Sequence, residues 1–112
     1  MGSEQRRNTR VAGYAKAVFT ASMTPGYVRD ISADGCQVAF MQPLPISSGD
    51  DITIRVIAVH DPAVAPFVLT LHVRWVRDDP PSFLVGGETT PPTEADARSL
   101  DALVTYYAGA GS

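Results

Sequence analysis

The chain has 112 residues and a formal net charge of −3, with 45% hydrophobic and 19% charged residues. This size and composition predict one compact domain and argue against wholesale disorder. A single cysteine excludes an internal disulfide framework and a multi-cysteine metal site. No apolar run reaches the ~18 residues of a membrane span and no secretory leader opens the sequence, so we expect no membrane insertion and a cytoplasmic location.

Charge is distributed unevenly along the chain. Residues 1–16 carry a net charge of +3, residues 17–77 carry −1 and residues 78–112 carry −5. The basic beginning predicts an anion-binding patch near the N-terminus. The overall balance gives no reason to expect a DNA or RNA polymer as partner.

Six segments alternate apolar and polar residues, as strands with one buried face do. Turn signals rich in Pro, Gly and Asp separate them. The predicted strands are 11–21, 26–32, 35–41, 51–60, 67–77 and 82–88. In the fifth strand the alternation puts Leu69, Leu71, Val73 and Trp75 on one face, as in a strand with one face on a core and the other toward water.

The periodicity changes near the C-terminus. Thr93 and Asp96 form a T-x-x-D capping box, and Ala97, Leu100, Val104 and Tyr107 follow at helical spacing. This predicts a helix over about 93–107 and a tail over 108–112. The expected fold class is therefore all-β dominated: a small antiparallel β-barrel of six to seven strands with a C-terminal α-helix.

Sequence motifs of enzymes are absent. His60 and His72 lie on different predicted strands without metal-ligand spacing, and there is no nucleophile elbow, Walker loop or zinc-protease motif. Cys36 at a strand start is interpreted as a small buried hydrophobe. We expect no catalytic residue, no metal and no cofactor.

Two short motifs stand out. The first, R-x-x-x-R, runs from Arg6 to Arg10 and has Arg7 inside it. A guanidinium group can donate two parallel hydrogen bonds to phosphate oxygens or to the edge of a guanine base. The alternative is a basic solvated tail. We expect residues 1–10 to form a flexible basic arm, because beyond Met1 they offer no apolar residues to dock it.

The second motif is D-x-S-x-x-G, from Asp30 through Ser32 to Gly35. In a strand Asp30 and Ser32 point to one face, while Ile31 between them points inward. Gly35 is expected to close the turn with a positive φ. The alternative is an ordinary polar turn in which Asp and Ser bond the local backbone.

Both motifs in this order resemble the signature of the PilZ domain family, which are bacterial receptors for cyclic di-GMP. The turn at 45–50, the Val85–Glu88 strand and the closing helix also resemble the family, so the likeness covers almost the whole chain. It implies a stand-alone PilZ-type domain over 11–107 behind the arm at 1–10.

The resemblance also implies site roles. Arg6 and Arg10 would contact guanine and phosphate, with Arg7 assisting. Asp30 and Ser32 would read a guanine edge from the barrel face.

Three further positions follow from the family pattern. Gly35 would hold the turn, and Trp75 matches a late-strand aromatic that contacts ligand in some members, so Trp75 is either a core residue or a ligand contact. Gln5 stands where some relatives carry an arginine and bind two ligand molecules. The stoichiometry therefore stays open between one and two.

The expected function is that of a cyclic di-GMP receptor and adaptor. Ligand binding would close the arm and signal to an unidentified effector protein, in motility, biofilm or exopolysaccharide control. The alternative is a ligand-independent interaction module for pilus, flagellar or export machinery. A small oligonucleotide-binding barrel is disfavoured by the acidic balance of the chain.

Overall fold

The computed structural model describes residues 15–59 and 64–110, and side chains only as far as residue 105 within the last helix. Arg6, Arg7 and Arg10 lie outside the described residues, as do Gln5 and His60. The described part contains six strands and one helix. They are β1 (Ala15–Phe19), β2 (Thr24–Ile31), β3 (Gly35–Phe40), β4 (Asp51–Ala58), β5 (Phe67–Asp79), β6 (Ser82–Thr90) and α1 (Glu94–Ala110).

The six strands close into one antiparallel barrel in the order β1-β2-β3-β6-β5-β4. Four of the pairings are hairpins between strands that follow each other in the sequence. The remaining two pairings, β3 with β6 and β1 with β4, close the barrel. The predicted fold class is confirmed.

The barrel interior is filled by the alternate residues of the strands. Ile52, Ile54 and Val56 of β4 are buried, and Leu69 and Leu71 of β5 lie beside them in the core. Their neighbours in the sequence point outward, as a period of two requires. Alternation in the sequence therefore identifies the core face of both strands.

Helix α1 packs against β5 and begins as the capping box predicts. The Thr93 hydroxyl accepts a hydrogen bond from the Asp96 N–H at 3.1 Å. Asp96 also accepts from the Val68 N–H at 2.9 Å, which ties the first turn to β5. Leu100 and Leu103 enter the core. Among the described residues, no helix has the length and apolar character needed to cross a membrane.

The first hairpin differs from the prediction. Strand β1 ends at Phe19 rather than near 21, and a turn over 20–23 places Met23 at φ 57°. Thr24 and Pro25, which the prediction leaves between the first two strands, are instead the start of β2. Position 26 favours glycine, because a Cβ there would lie 2.6 Å from the Ala39 carbonyl oxygen of β3. The glycine marks a close approach of two strands and not a turn.

Candidate functional site

The end of β2 turns Asp30 toward solvent. A bulge between Val28 and Asp30 shifts the register against β3, so that Asp30 pairs with Gln37 and Ile31 with Cys36. Ile31 is buried while Asp30 is exposed, as the alternation predicts. The Asp30 side chain lines the outer wall of the barrel, and a carboxylate can accept hydrogen bonds through both of its oxygens.

Ser32 begins the turn that joins β2 to β3. Its N–H donates to the Gly35 carbonyl oxygen at 2.8 Å, and its hydroxyl lies 3.0 Å from Asp34 Oδ1 and 3.3 Å from Gly35 O. The Thr89 N–H of β6 donates to Asp34 O at 3.1 Å and ties the turn to the barrel. Ser32 thus makes the local bonds of a polar turn, and its oxygen can still accept a hydrogen bond.

The expected positive φ at Gly35 is wrong. Among the described glycines only Gly49 has a positive φ. Gly35 instead is the first residue of β3, where a Cβ would lie 3.1 Å from the Gly87 carbonyl oxygen. The glycine therefore lies where β3 and β6 approach closely, and a Cβ there would make a tight contact with the β6 backbone.

Of the two positions that the sequence leaves open for Trp75, the structure does not show the core position. A bulge between Val73 and Trp75 breaks the alternation of β5, so that Val73 pairs with Gly87 and Trp75 with Gly86. Val73 is buried, but the next two residues, Arg74 and Trp75, both reach the outer surface, and Trp75 is 37% exposed. Inserting one residue changes the face of every side chain after it.

Two adjacent glycines of β6 make this bulge possible. A Cβ on Gly87 would collide with the His72 carbonyl oxygen and would lie 3.0 Å from the Arg74 nitrogen. A Cβ on Gly86 would fall within the indole of Trp75. The indole therefore lies against the bare backbone of β6, and the Gly86-Gly87 pair is the sequence signal for its position.

These features surround an open cleft of about 300 Å³ on the outside of the barrel, called here the outer cleft. It spans β2, β3, β6 and β5. Its lining residues are Asp30, Ser32, Gly35, Cys36, Gln37, Arg74, Trp75, Gly87 and Glu88. All four predicted site residues in the described part of the chain, namely Asp30, Ser32, Gly35 and Trp75, thus border the same space.

Sequence reasoning did not include Arg74 and Glu88 in the site. Arg74 Nη2 lies 3.1 Å from Glu88 Oε2, and both side chains are about two-thirds exposed. Each looks in the sequence like an ordinary solvated charge on a strand. The only signal is position, since Arg74 precedes Trp75 and Glu88 follows the glycine pair.

Cys36 is a buried member of the cleft lining. Burial, together with the nearby Asp30 charge, raises the pKa of the Cys36 thiol to about 12. The thiol therefore stays protonated and acts as the small hydrophobe that the sequence indicates. In the described chain no group of three potential metal-ligating side chains occurs, at the cleft or elsewhere.

A closed antiparallel barrel with one packed helix and a polar cleft on its outer wall defines a small β-barrel domain with a surface site. The family model for the PilZ domain matches residues 3–106, and the chain belongs to this family. No curated protein matches the sequence. The solved structure of K. pneumonia MrkH in its apo state is similar in fold, with a TM-score of 0.66 at 12% identity. That alignment covers 98% of this chain and 53% of the MrkH chain, so the chain spans about half of MrkH.

Proposed function

We propose that the outer cleft binds cyclic di-GMP and that the protein acts as a receptor for this second messenger. The observation that carries the proposal is the convergence of Asp30, Ser32, Gly35 and Trp75, from two separate parts of the sequence, on one solvent-open space. Membership of the PilZ domain family supports this ligand. Binding of the ligand makes and breaks no covalent bond, so we propose a receptor and not an enzyme.

Each cleft residue offers what a guanine base needs. The Asp30 carboxylate can accept hydrogen bonds from the N–H groups on the guanine edge, and the Ser32 oxygen can accept another. The Trp75 indole presents a partly exposed ring on which a purine can stack. Gly35 adds no side chain to the cleft lining, so a ligand can approach the backbone there.

The phosphates need cations from elsewhere in the chain. The described lining carries two acids, Asp30 and Glu88, against one base, Arg74. This lining alone does not neutralise a dianionic ligand. We therefore propose that Arg6 and Arg10, with help from Arg7, supply the guanidinium groups that hold the two phosphates.

The output is proposed to be a change of surface. If residues 1–10 close over the dinucleotide, the ligand shifts the population toward that closed state by its differential affinity. The closed state would then present a new surface to an effector protein. A ligand-independent interaction module is the second candidate, and the net negative charge of the described cleft lining is the observation that favours it.

Calorimetric titration with cyclic di-GMP, beside GTP and the linear dinucleotide, tests the proposal. Asp30→Ala, Arg6→Ala and Arg10→Ala should each weaken binding at least about tenfold, since each removes a charge-assisted hydrogen bond. The thermal transition of the unliganded protein should barely move. Asp101→Ala and Arg55→Ala remove exposed charges that do not line the cleft and should bind as the wild type does. A wild type that takes up no cyclic di-GMP would favour the second candidate instead.

A further inference from the structure

The backbone beside the outer cleft is held firmly at the β5 bulge. The Gly49 N–H donates to the Val73 carbonyl oxygen at 2.7 Å, and the Val73 N–H donates to Asp50 O at 2.8 Å. The Ser48 hydroxyl donates to the Arg74 carbonyl oxygen at 2.8 Å. Two bonds to the backbone of Val73 and one to that of Arg74, all from the loop before β4, therefore hold this part of the cleft wall in place, while the Arg74 side chain is exposed.

The Arg74 side chain has a weak partner in the structure. Its contact with Glu88 is one nitrogen–oxygen approach of 3.1 Å, and the two side chains are 65% and 63% exposed. Ion pairs this exposed are screened by water and salt and contribute little to stability. A phosphate can offer the same guanidinium two parallel hydrogen bonds. If a ligand phosphate replaces Glu88 as the partner of the Arg74 guanidinium, the loss of the ion pair therefore costs little and the new contact has more hydrogen bonds.

Glu88 opposes an anionic ligand in two ways. Its carboxylate adds a negative charge to a cleft that already holds Asp30. It also pairs with the guanidinium of Arg74, which is the one cation among the described lining residues. Both effects disfavour a dinucleotide with two phosphates.

From these observations we infer that Arg74 is a further phosphate-binding residue and that Glu88 sets the affinity of the cleft by holding Arg74 away from the ligand. The inference rests on the proposed function, because it concerns the same ligand. It assigns Glu88 a restraining role that differs from that of Asp30. If Glu88 instead read a guanine edge, its removal would weaken binding.

A double-mutant cycle measured by calorimetric titration with cyclic di-GMP tests the inference. Glu88→Gln should tighten binding about 3- to 10-fold, and Arg74→Ala should weaken it about tenfold. In the Arg74→Ala background, Glu88→Gln should have a smaller effect, because no guanidinium remains to be released. Unfolding transitions of the three variants should stay close to that of the wild type.

The helix offers a matched control pair. Arg98 and Glu94 form another exposed arginine–glutamate pair, at 3.9 Å on α1, and neither lines the cleft. Glu94→Gln and Arg98→Ala should leave the affinity unchanged, which separates a local effect from a change in total charge.

The outcomes separate the two proposals. If the wild type binds cyclic di-GMP and Glu88→Gln leaves the affinity unchanged or weakens it, this inference is overturned and the proposed function is not. An equal gain in affinity from Glu88→Gln with and without Arg74 would also overturn the inference. Charge repulsion between Glu88 and the anionic ligand would then explain the gain by itself. Absence of binding by the wild type and by Glu88→Gln alike would overturn both the inference and the proposed function.

Discussion

Replacing Gly86 by alanine tests whether the Trp75 indole forms a wall of the outer cleft. The new methyl carbon would overlap ring carbons of the indole and lie 2.6 Å from its Nε1. Non-bonded atoms of this kind settle at about 3.5–4.0 Å, so the ring must move outward by about 1 Å or more. Because Trp75 is already 37% exposed, the ring has solvent to move into. The fold should therefore lose no more than about 1 kcal/mol.

The effect on binding should be larger than the effect on stability. Stacking of a base on an aromatic ring contributes ~1–3 kcal/mol, so a displaced ring should weaken cyclic di-GMP binding about 5- to 150-fold. Trp75 is the one tryptophan of the chain, so its emission reports the ring directly. We expect red-shifted emission from unliganded Gly86→Ala and a raised calorimetric Kd.

The neighbouring glycine is the matched control. A Cβ on Gly87 would meet the His72 carbonyl oxygen, a backbone atom that cannot move without parting β5 from β6. Gly87→Ala should therefore cost about 3 kcal/mol and lower the Tm by ~10 °C. Unchanged emission and affinity in Gly86→Ala would refute the placement of Trp75. A loss of stability in Gly86→Ala as large as that in Gly87→Ala would refute it as well.

Three further predictions concern the scaffold. Thr93→Ala removes the N-cap of α1 and should cost ~1 kcal/mol in a urea titration, without changing ligand affinity; a loss of affinity would link the helix to the site. Hydrogen bonds from the Thr93 hydroxyl, and to a smaller extent from the Val68 N–H, lower the pKa of Asp96 in the folded protein. The ionised Asp96 therefore stabilises the fold above the pKa of the unfolded state, and this contribution is lost as the pH falls through the pKa of the folded state. Asp96→Asn should therefore flatten the fall in unfolding free energy below about pH 4, and an unchanged slope would contradict this. Thr89 Oγ1 is buried without a hydrogen-bond partner in the described chain, so Thr89→Val should be neutral or stabilising by up to ~1 kcal/mol, and a marked loss of stability would reveal a partner.

The barrel and the helix could be predicted because their signals are local. Alternation in β4 and most of β5 follows directly from burying one face of each strand, and the buried residues are those expected. The capping box at Thr93 fixes the start of α1 by its own hydrogen bonds. Such patterns need no knowledge of the partner strand.

The bulges could not be predicted in the same way, because a bulge is a property of two strands. The alternation through Val73 gives Trp75 an inward position, and only the pairing with Gly86 and Gly87 reverses it. The role of Gly35 likewise depends on the approach of β6 and not on its own turn.

The site shows the same division. Asp30 and Ser32 could be named from the family motif, and the structure brings them to one cleft with Trp75. Arg74 and Glu88 could not be named, because an exposed charge carries no mark of its role until its neighbours across the sheet are known. The parts assigned to Arg6, Arg7 and Arg10 stay predictions.

Titration of the wild-type protein with cyclic di-GMP, followed by the emission of its single tryptophan, tests the central claim most directly. If the dinucleotide occupies the outer cleft, Trp75 emission should change saturably, with a midpoint equal to the calorimetric Kd, and GTP at the same concentrations should leave it unchanged. Calorimetric binding of cyclic di-GMP with no change in that emission would place the ligand elsewhere and contradict the account.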